Sequence, residues 1–240
     1  GQPSNLLRLE RGLPVLKLLQ AAGARTLIIS HLGRDGSASL EPIIKVLNQS
    51  VLVEFVPFFP LALGRLVEVP NGTLVATENI RRIPAELAND ERWAKEVAAS
   101  ADLYVNEAFA VCHREHASII QLPKFLPSYA GPALVDEVTN LSRMLKPELP
   151  LTVIVGGAKF GTKLPLLTKF LSPAQNIMVG GALAHVFLKQ RGYEIGRSLV
   201  DESLTIPEAL ITSPKILLPS EVVVKTTDQK VIHRHLAELL

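Results

Sequence analysis

The stretch Leu151–Lys163, LTVIVGGAKFGTK, decides the reading of the fold. Its first five residues, Leu151 to Val155, are apolar or β-branched and predict a short strand buried on both faces. Gly156 and Gly157 end that strand abruptly, and Lys159 and Lys163 follow one helical turn apart. Glycines leaving a buried strand let backbone N–H groups approach an anion closely, and lysines at this spacing add charge from one side. The plainer alternative is a strand–turn–helix junction with solvated lysines, and a lone Gly-Gly-x-Lys does not separate the two. The G-x-x-x-x-G-K-[ST] spacing of a Walker A loop is absent.

The same strand–turn–helix rhythm runs upstream. Residues 6–22 carry apolar side chains at helical spacing, with Arg8 and Arg11 in the first turn and Gly23 at the end. Leu27 to Ile29 form a strand that stops at Ser30-His31-Leu32-Gly33-Arg34. A helix is expected over 39–47, with Ser39 as N-cap and Pro42 tolerated in its first turn. Val51 to Val56 is another strand, and a proline-rich connection leads to a strand over 73–76. That strand runs into Thr77-Glu78-Asn79-Ile80-Arg81-Arg82. Asp90 caps a helix over 91–101, and Leu103 to Val105 form a strand followed by Asn106 to His116.

Downstream, residues 133–145 read as a helix, and Lys146 to Pro150, with two prolines in five residues, mark a domain boundary. Beyond the opening stretch come a helix over 163–171, a strand over 175–179, and Gly180-Gly181-Ala182 starting a helix to Gln190. A helix around Glu208, two short strands over 215–219 and 221–224, and a partial helix over 231–240 complete the expectation.

Strands alternating with helices imply parallel α/β sheets with right-handed crossovers, and such sheets bind ligands beyond the carboxyl ends of their strands. Three strands deliver basic groups just past that end: His31 and Arg34, Arg81 and Arg82, His113 and Arg114. Singly, each is more often a solvated loop cation. Together they suit a small, multiply charged anion such as a phosphate ester.

Bulk properties bound the alternatives. A chain of 240 residues makes one large domain or two small ones, and 48% hydrophobic with 20% charged residues argues for a packed core over disorder. A net charge of +2 gives no general case for nucleic acid. One cysteine, Cys112, excludes an internal disulfide or a thiolate zinc cluster and fits a reducing compartment. Mean hydropathy is +0.27. Even so, the longest apolar region, 51–63, is interrupted by Glu54, Pro57 and Pro60 and falls short of the ~20 residues of a membrane span. The first residues, GQPSNLLRLERG, lack the basic-then-apolar order of a signal peptide, and a cytoplasmic protein is expected. The chain starts without Met, which fits processing, truncation or a piece of a longer protein.

The quoted segments, in this order, resemble phosphoglycerate kinase. The family's serine-histidine-leucine-glycine-arginine turn is Ser30 to Arg34, and its glutamate-asparagine-leucine-arginine segment is Glu78-Asn79-Ile80-Arg81. Its asparagine-acidic-alanine-phenylalanine run leading to histidine-arginine-x-histidine-alanine-serine is Asn106 to Phe109, then His113 to Ser118. The helix bearing Arg8 is similar to the family's arginine-bearing helix. Lys124 to Ser128 and Ala130-Gly131 continue the likeness, and Gly156-Gly157-Ala158-Lys159, Gly180-Gly181 with Phe187-Leu188-Lys189, and Tyr193 to Leu199 extend it through the second half. About seven segments cover nearly the whole chain.

The resemblance implies two Rossmann-like lobes, each a parallel sheet with helices on both faces, joined by a helix. Residues 1–132 would be the phosphoglycerate-binding lobe, 133–149 the connecting helix and hinge, and 150–240 an incomplete nucleotide-binding lobe. It implies reversible phosphoryl transfer between 1,3-bisphosphoglycerate and ADP, giving 3-phosphoglycerate and ATP, with Mg2+ carried by the nucleotide, in a cytoplasmic monomer. His31, Arg34, Arg81 and Arg114 would hold the phosphoglycerate. Arg8 would stabilise the phosphoryl group in flight, and Lys163 would bridge it to the nucleotide. Gly156, Gly157, Ala158, Lys159, Gly180 and Gly181 would line the nucleotide site, and the lobes would close by a hinge motion.

Several features depart from the family's pattern. Phe160-Gly161-Thr162 replaces its valine-serine-aspartate type tripeptide, Ala182 replaces a third glycine, and Ala110-Val111-Cys112 stands where it tends to carry glycine and threonine. Its first strand, with an arginine-valine-aspartate-x-asparagine run, and its C-terminal glycine-rich aspartate turn are not among these 240 residues, so an inactive fragment is expected. A phosphate-ester or nucleotide-binding α/β protein without turnover is the first competing reading. A Rossmann dehydrogenase is disfavoured because no G-x-G-x-x-G follows a strand, and a Cys112-His113 nucleophile because adjacent side chains seldom face one another. His185 and His233 read as ordinary helix-face residues, and the six histidines show no metal-ligand spacing.

Overall fold

The structure, a computed structural model, describes residues 6–239. Residues 1–5, part of the segment read for a leader, and Leu240 lie outside the described residues. The chain divides into two compact units, Gly1–Thr139 and Asn140–Leu240.

The first unit opens with helix α1, Leu7–Ala21, then strand β1, Thr26–Ile28, helix α2, Glu41–Leu47, and strand β2, Val53–Val56. The expected proline-rich connection contains a helix instead: α3, Phe59–Glu68. Pro60 sits in its first turn, where the missing N–H costs nothing, and Phe59, Ala62 and Leu66 form its buried stripe. Strand β3, Leu74–Thr77, follows; then α4, Pro84–Leu87, α5, Glu91–Ala98, strand β4, Tyr104–Asn106, α6, Ala117–Ile120, and strand β5, Ser128–Ala130. Asp90 caps α5 as expected, its side chain accepting the Trp93 N–H at 2.9 Å. The N-cap position of α2 is Leu40 rather than Ser39, but the Ser39 hydroxyl still accepts the first-turn Glu41 N–H at 3.1 Å while donating to Glu78 at 2.7 Å. Helix α7, Pro132–Arg143, spans the border between the units.

Parallel α/β architecture is what the structure shows. Within the first unit the strands form two parallel sheets, β1–β3–β2 and β4–β5. β3, paired on both edges, is buried throughout, with Leu74 and Val75 wholly inaccessible. β1 and β4 have one strand partner each and are only half-buried. Between them lies a cavity of about 750 Å³ lined by Leu27, Ile28, Tyr104 and Val105. Its lining also includes Arg8, His31 and Arg81.

The second unit has strand β6, Thr152–Val155, helix α8, Phe160–Phe170, strand β7, Asn176–Val179, helix α9, Gly181–Gln190, helix α10, Glu208–Ile211, and strand β8, Ile216–Leu217. β6, β7 and β8 form one parallel sheet in that order. Its core joins Val153, Val155, Ile177 and Val179 to Leu167, Leu183 and Phe187 of the helices. The expectation that β6 is buried on both faces fails: Thr152 and Ile154 are exposed, Ile154 by 78%, while Val153 and Val155 are buried. Run length cannot tell a two-sided strand from a one-sided one when every residue is apolar or β-branched.

The expected helix over 231–240 is also overturned. Val231–His235 is strand β10, paired antiparallel with strand β9, Glu221–Lys225. Leu236–Leu239 forms a short three-ten turn. Gln229, at φ 67°, sits in the hairpin turn where Thr226 N–H meets Lys230 C=O at 2.9 Å. His233 therefore lies on a strand, not a helix face. No helix among the described residues is long and apolar enough to cross a membrane.

Candidate functional site

In the first unit, the turn after β1 and the turn after β3 are built as one piece. Asn79 is 1% exposed and its side-chain amide donates to Leu32 C=O at 2.7 Å and Ala38 C=O at 2.9 Å. Its Oδ1 accepts the Arg81 N–H at 3.2 Å. Ile80 N–H bonds Ser30 C=O at 3.0 Å, and the Arg81 guanidinium donates to Gly33 C=O. Gly36 makes the close approach possible: at φ +76°, a Cβ there would lie 2.7 Å from the Arg81 carbonyl carbon.

Glu78 ties the same turns to α2. Its carboxylate accepts Leu40 N–H and the Ser39 hydroxyl, both at 2.7 Å, and pairs with Arg82 at 3.1 Å. Burial opposes its charge, but these hydrogen bonds and Arg82 outweigh burial and hold the carboxyl below its ordinary value. Arg82 also donates to Gly36 C=O and Ser37 C=O, which makes it a brace for the turn.

His31 is where the cations meet. Its pKa is lowered from 6.5 to about 4, first by burial and then by Arg81, Arg8, His116 and Arg114. Those groups come from separate elements: Arg8 on α1, Arg81 after β3, and Arg114 and His116 after β4. Among the sequence-predicted residues, the structure thus gathers Arg8, His31, Arg81 and Arg114. Arg34 is exposed on the turn and is not among the cations acting on His31. Arg8, Arg34 and Arg114 have no carboxylate partner among the described residues. Uncompensated guanidiniums around a neutral imidazole make an anion receptor: the cations supply charge and fixed forks, the imidazole one N–H donor.

In the second unit, two glycine turns abut at the carboxyl ends of β6 and β7. Gly180 N–H bonds Val155 C=O at 2.9 Å. A Cβ on Gly156 would lie 3.3 Å from the Gly180 oxygen, and one on Gly181 3.5 Å from the Gly157 nitrogen. Gly157 (φ +112°) and Gly181 (φ +59°) take conformations that favour glycine. Lys159 holds the N-cap position of α8, without a side-chain cap bond, and Lys163 lies in the helix's first turns, half-buried. Gly156, Gly157, Ala158 and Lys159 are exposed, and Gly181 begins α9. Two helix N-termini beside adjoining glycine turns leave backbone N–H groups available to a phosphate chain.

A family model described as phosphoglycerate kinase matches residues 4–238. The chain belongs to the phosphoglycerate kinase family. The phosphoglycerate kinase of Wolbachia pipientis subsp. Culex pipiens is 36% identical over 93% of this chain and 60% of its own length. That of Orientia tsutsugamushi strain Boryong is 35% identical over 94% of this chain and 60% of its own length. The structure of phosphoglycerate kinase from Coxiella burnetii superposes with a TM-score of 0.81 at 30% identity, covering 100% of this chain and 65% of that one. The chain thus spans about 60% of the length of the curated phosphoglycerate kinases it matches.

Three contributors to the basic cluster were not chosen from sequence as site residues. Gly36 shows no signal by type, since any loop glycine reads alike. Asn79 and His116 lie inside quoted motifs, but their contacts, to residues 32 and 38 and to Glu86, are long-range.

Proposed function

We propose that this chain is the phosphoglycerate-binding and part of the nucleotide-binding machinery of a glycolytic kinase. The reaction is reversible phosphoryl transfer between 1,3-bisphosphoglycerate and ADP, yielding 3-phosphoglycerate and ATP. The observation that carries this reading is the convergence of Arg8, Arg81, Arg114 and His116 on His31, in a chain of this family.

In this reading His31, Arg81 and Arg114 hold the phosphate and carboxylate that do not react, with Arg34 closing over them from the exposed turn. Arg8 neutralises charge on the phosphoryl group in flight. In the second unit, Gly156, Gly157, Ala158, Gly180 and Gly181 wall the nucleotide site. Lys159 grips the nucleotide phosphates, and Lys163 spans the transferring group. Phosphoryl transfer needs alignment, charge neutralisation and exclusion of water more than covalent help, which is what such residues supply. Mg2+ would enter with the nucleotide as substrate. Each lobe would hold one substrate, and a hinge over 133–149 would bring them together. The protein would act in the cytoplasm as a monomer.

A coupled assay on the complete natural polypeptide tests the reading, with calorimetry on the 240-residue chain beside it. Expected are 3-phosphoglycerate and ADP binding by the chain, turnover by the complete polypeptide, and a sharp loss of turnover without loss of fold in Lys163→Ala. Binding without turnover in the complete polypeptide would make it a phosphate-ester or nucleotide-binding module. Failure to bind 3-phosphoglycerate would remove the reading altogether.

A further inference from the structure

Behind the basic cluster stands a group that the reading above leaves unused. Glu86, in α4, is only 1% exposed. A buried carboxylate is costly unless it is hydrogen-bonded and paired. Glu86 Oε2 accepts the Ser118 N–H at 2.8 Å, and Oε1 accepts the Ser118 hydroxyl at 2.7 Å. Oε1 also lies 3.6 Å from His116 Nδ1, which is 18% exposed. Among the described residues, His116 is the cation-forming group within ion-pair distance of this carboxylate.

His116 has a second aspect. It is one of the charges acting on His31, together with Arg81, Arg8 and Arg114. The His116 ring is thus near the Glu86 carboxylate, at 3.6 Å, and near enough to His31 to act on it. Tyr104 on β4 also feels Glu86; its phenol is pushed up to about 12 by burial first, then by Cys112 and Glu86. The Ser118 bonds alone would be an ordinary brace, which a neutral amide could supply equally well. A full buried charge beside His116 is what a neutral brace would not provide.

We infer that Glu86 is a positioning residue for the basic cluster: its carboxylate pins the 113–118 turn through both Ser118 bonds and sets a buried counter-charge 3.6 Å from the His116 ring, keeping the turn that carries Arg114 and His116 in place. The purpose of this arrangement rests on the phosphoglycerate reading, but its geometry does not. Without that counter-charge, nothing among the described residues on this side of the turn would offset the mutual repulsion of Arg8, Arg81 and Arg114.

Proton NMR titration of the histidine rings in the 240-residue chain tests this, with His116→Asn to assign the resonance. Glu86→Gln is isosteric: its oxygen can accept the Ser118 N–H while its amide donates to the Ser118 hydroxyl, so the turn survives without the charge. The expected result is a roughly tenfold fall in the proton affinity of His116 with an unchanged circular dichroism spectrum. An unmoved His116 titration in folded Glu86→Gln would overturn the inference. Should that variant not fold, the 13Cδ resonance of Glu86 in the unmodified chain decides: an inflection at the His116 midpoint supports the pairing, and its absence refutes it.

Calorimetry with 3-phosphoglycerate separates this inference from the functional reading. Binding by the unmodified chain that weakens roughly tenfold in Glu86→Gln supports both. Equal affinities would overturn the positioning role while leaving the function intact. No binding by the unmodified chain would end the functional reading, and the His116 titration would still decide the role of Glu86.

Discussion

At the scale of single residues, the first unit sets several cations around a histidine of lowered proton affinity. Because the His31 pKa is lowered to about 4 by burial and then by Arg81, Arg8, His116 and Arg114, the ring is neutral at pH 7. An arriving dianion reverses the electrostatic balance and favours the charged ring. Binding of 3-phosphoglycerate between about pH 5 and 6.5 is therefore expected to take up a proton. Calorimetry in buffers of different ionisation enthalpy would read the uptake, and buffer-independent heats would contradict it. Stability follows the same sign: a base whose folded pKa is depressed contributes stability that is present above the unfolded value of 6.5. That contribution is lost as pH falls toward the folded value of about 4. Denaturant midpoints should drop over that window, and His31→Gln should flatten the drop.

Arg34 belongs to the same scale and behaves differently. It is exposed and outside the group of cations acting on His31, so its removal should leave the fold alone. If it closes over the ligand, Arg34→Ala loses a charged hydrogen bond of roughly 1.5–3 kcal/mol, or about ten- to a hundredfold in 3-phosphoglycerate affinity. Unchanged affinity by calorimetry would remove Arg34 from the site.

At the scale of elements, the turns after β1 and β3 are one clamped unit, and Gly36 is its tightest point. An alanine there would need φ +76° and would place its Cβ 2.7 to 2.9 Å from backbone atoms of Arg81 and Arg82. Backbone cannot yield as a flexible side chain would, so Gly36→Ala is expected to cost at least about 2 kcal/mol in urea unfolding. The damage should also spread to Arg81 and weaken ligand binding; wild-type stability would show that the two turns are not locked together. The elements also show which sequence signals held. Asp90 before Trp93 announced the start of α5, because a cap is a local bond. Prolines at 57 and 60 hid α3, since proline marks a loop and a helix's first turn equally. The alternation of β10 passed for a helix end because its partner, β9, fixes the pairing through a turn whose residues carry no Asn-Gly or Asp-Gly signature.

At the scale of the whole molecule, the proposed function gives the two units separate chemistry. Hydrogen exchange with 3-phosphoglycerate should slow amides over 30–37, 79–82 and 113–118 in the first unit. ADP should slow 156–163 and 180–184 in the second. Either ligand at about 100 times its Kd should raise the stability of what it binds by about 2.7 kcal/mol. Protection by 3-phosphoglycerate centred on the glycine turns would reverse the assignment of substrates to units. The half-buried strands β1 and β4, each with one strand partner, should exchange faster than β3, which is paired on both edges.

By itself the sequence determined the alternation of strands and helices, the parallel α/β class, and the basic residues placed past the strand ends. These follow from local periodicity, glycine punctuation and the rule that such sheets bind ligands at their carboxyl edge. Only the tertiary structure decided that β6 shows one face to solvent, that the first unit's strands divide into two sheets, and that His116 comes within 3.6 Å of Glu86. The reason is that burial, sheet partnership and the proton affinity of a side chain are set by neighbours distant in the chain. A residue's own identity and its near neighbours in sequence carry no record of them.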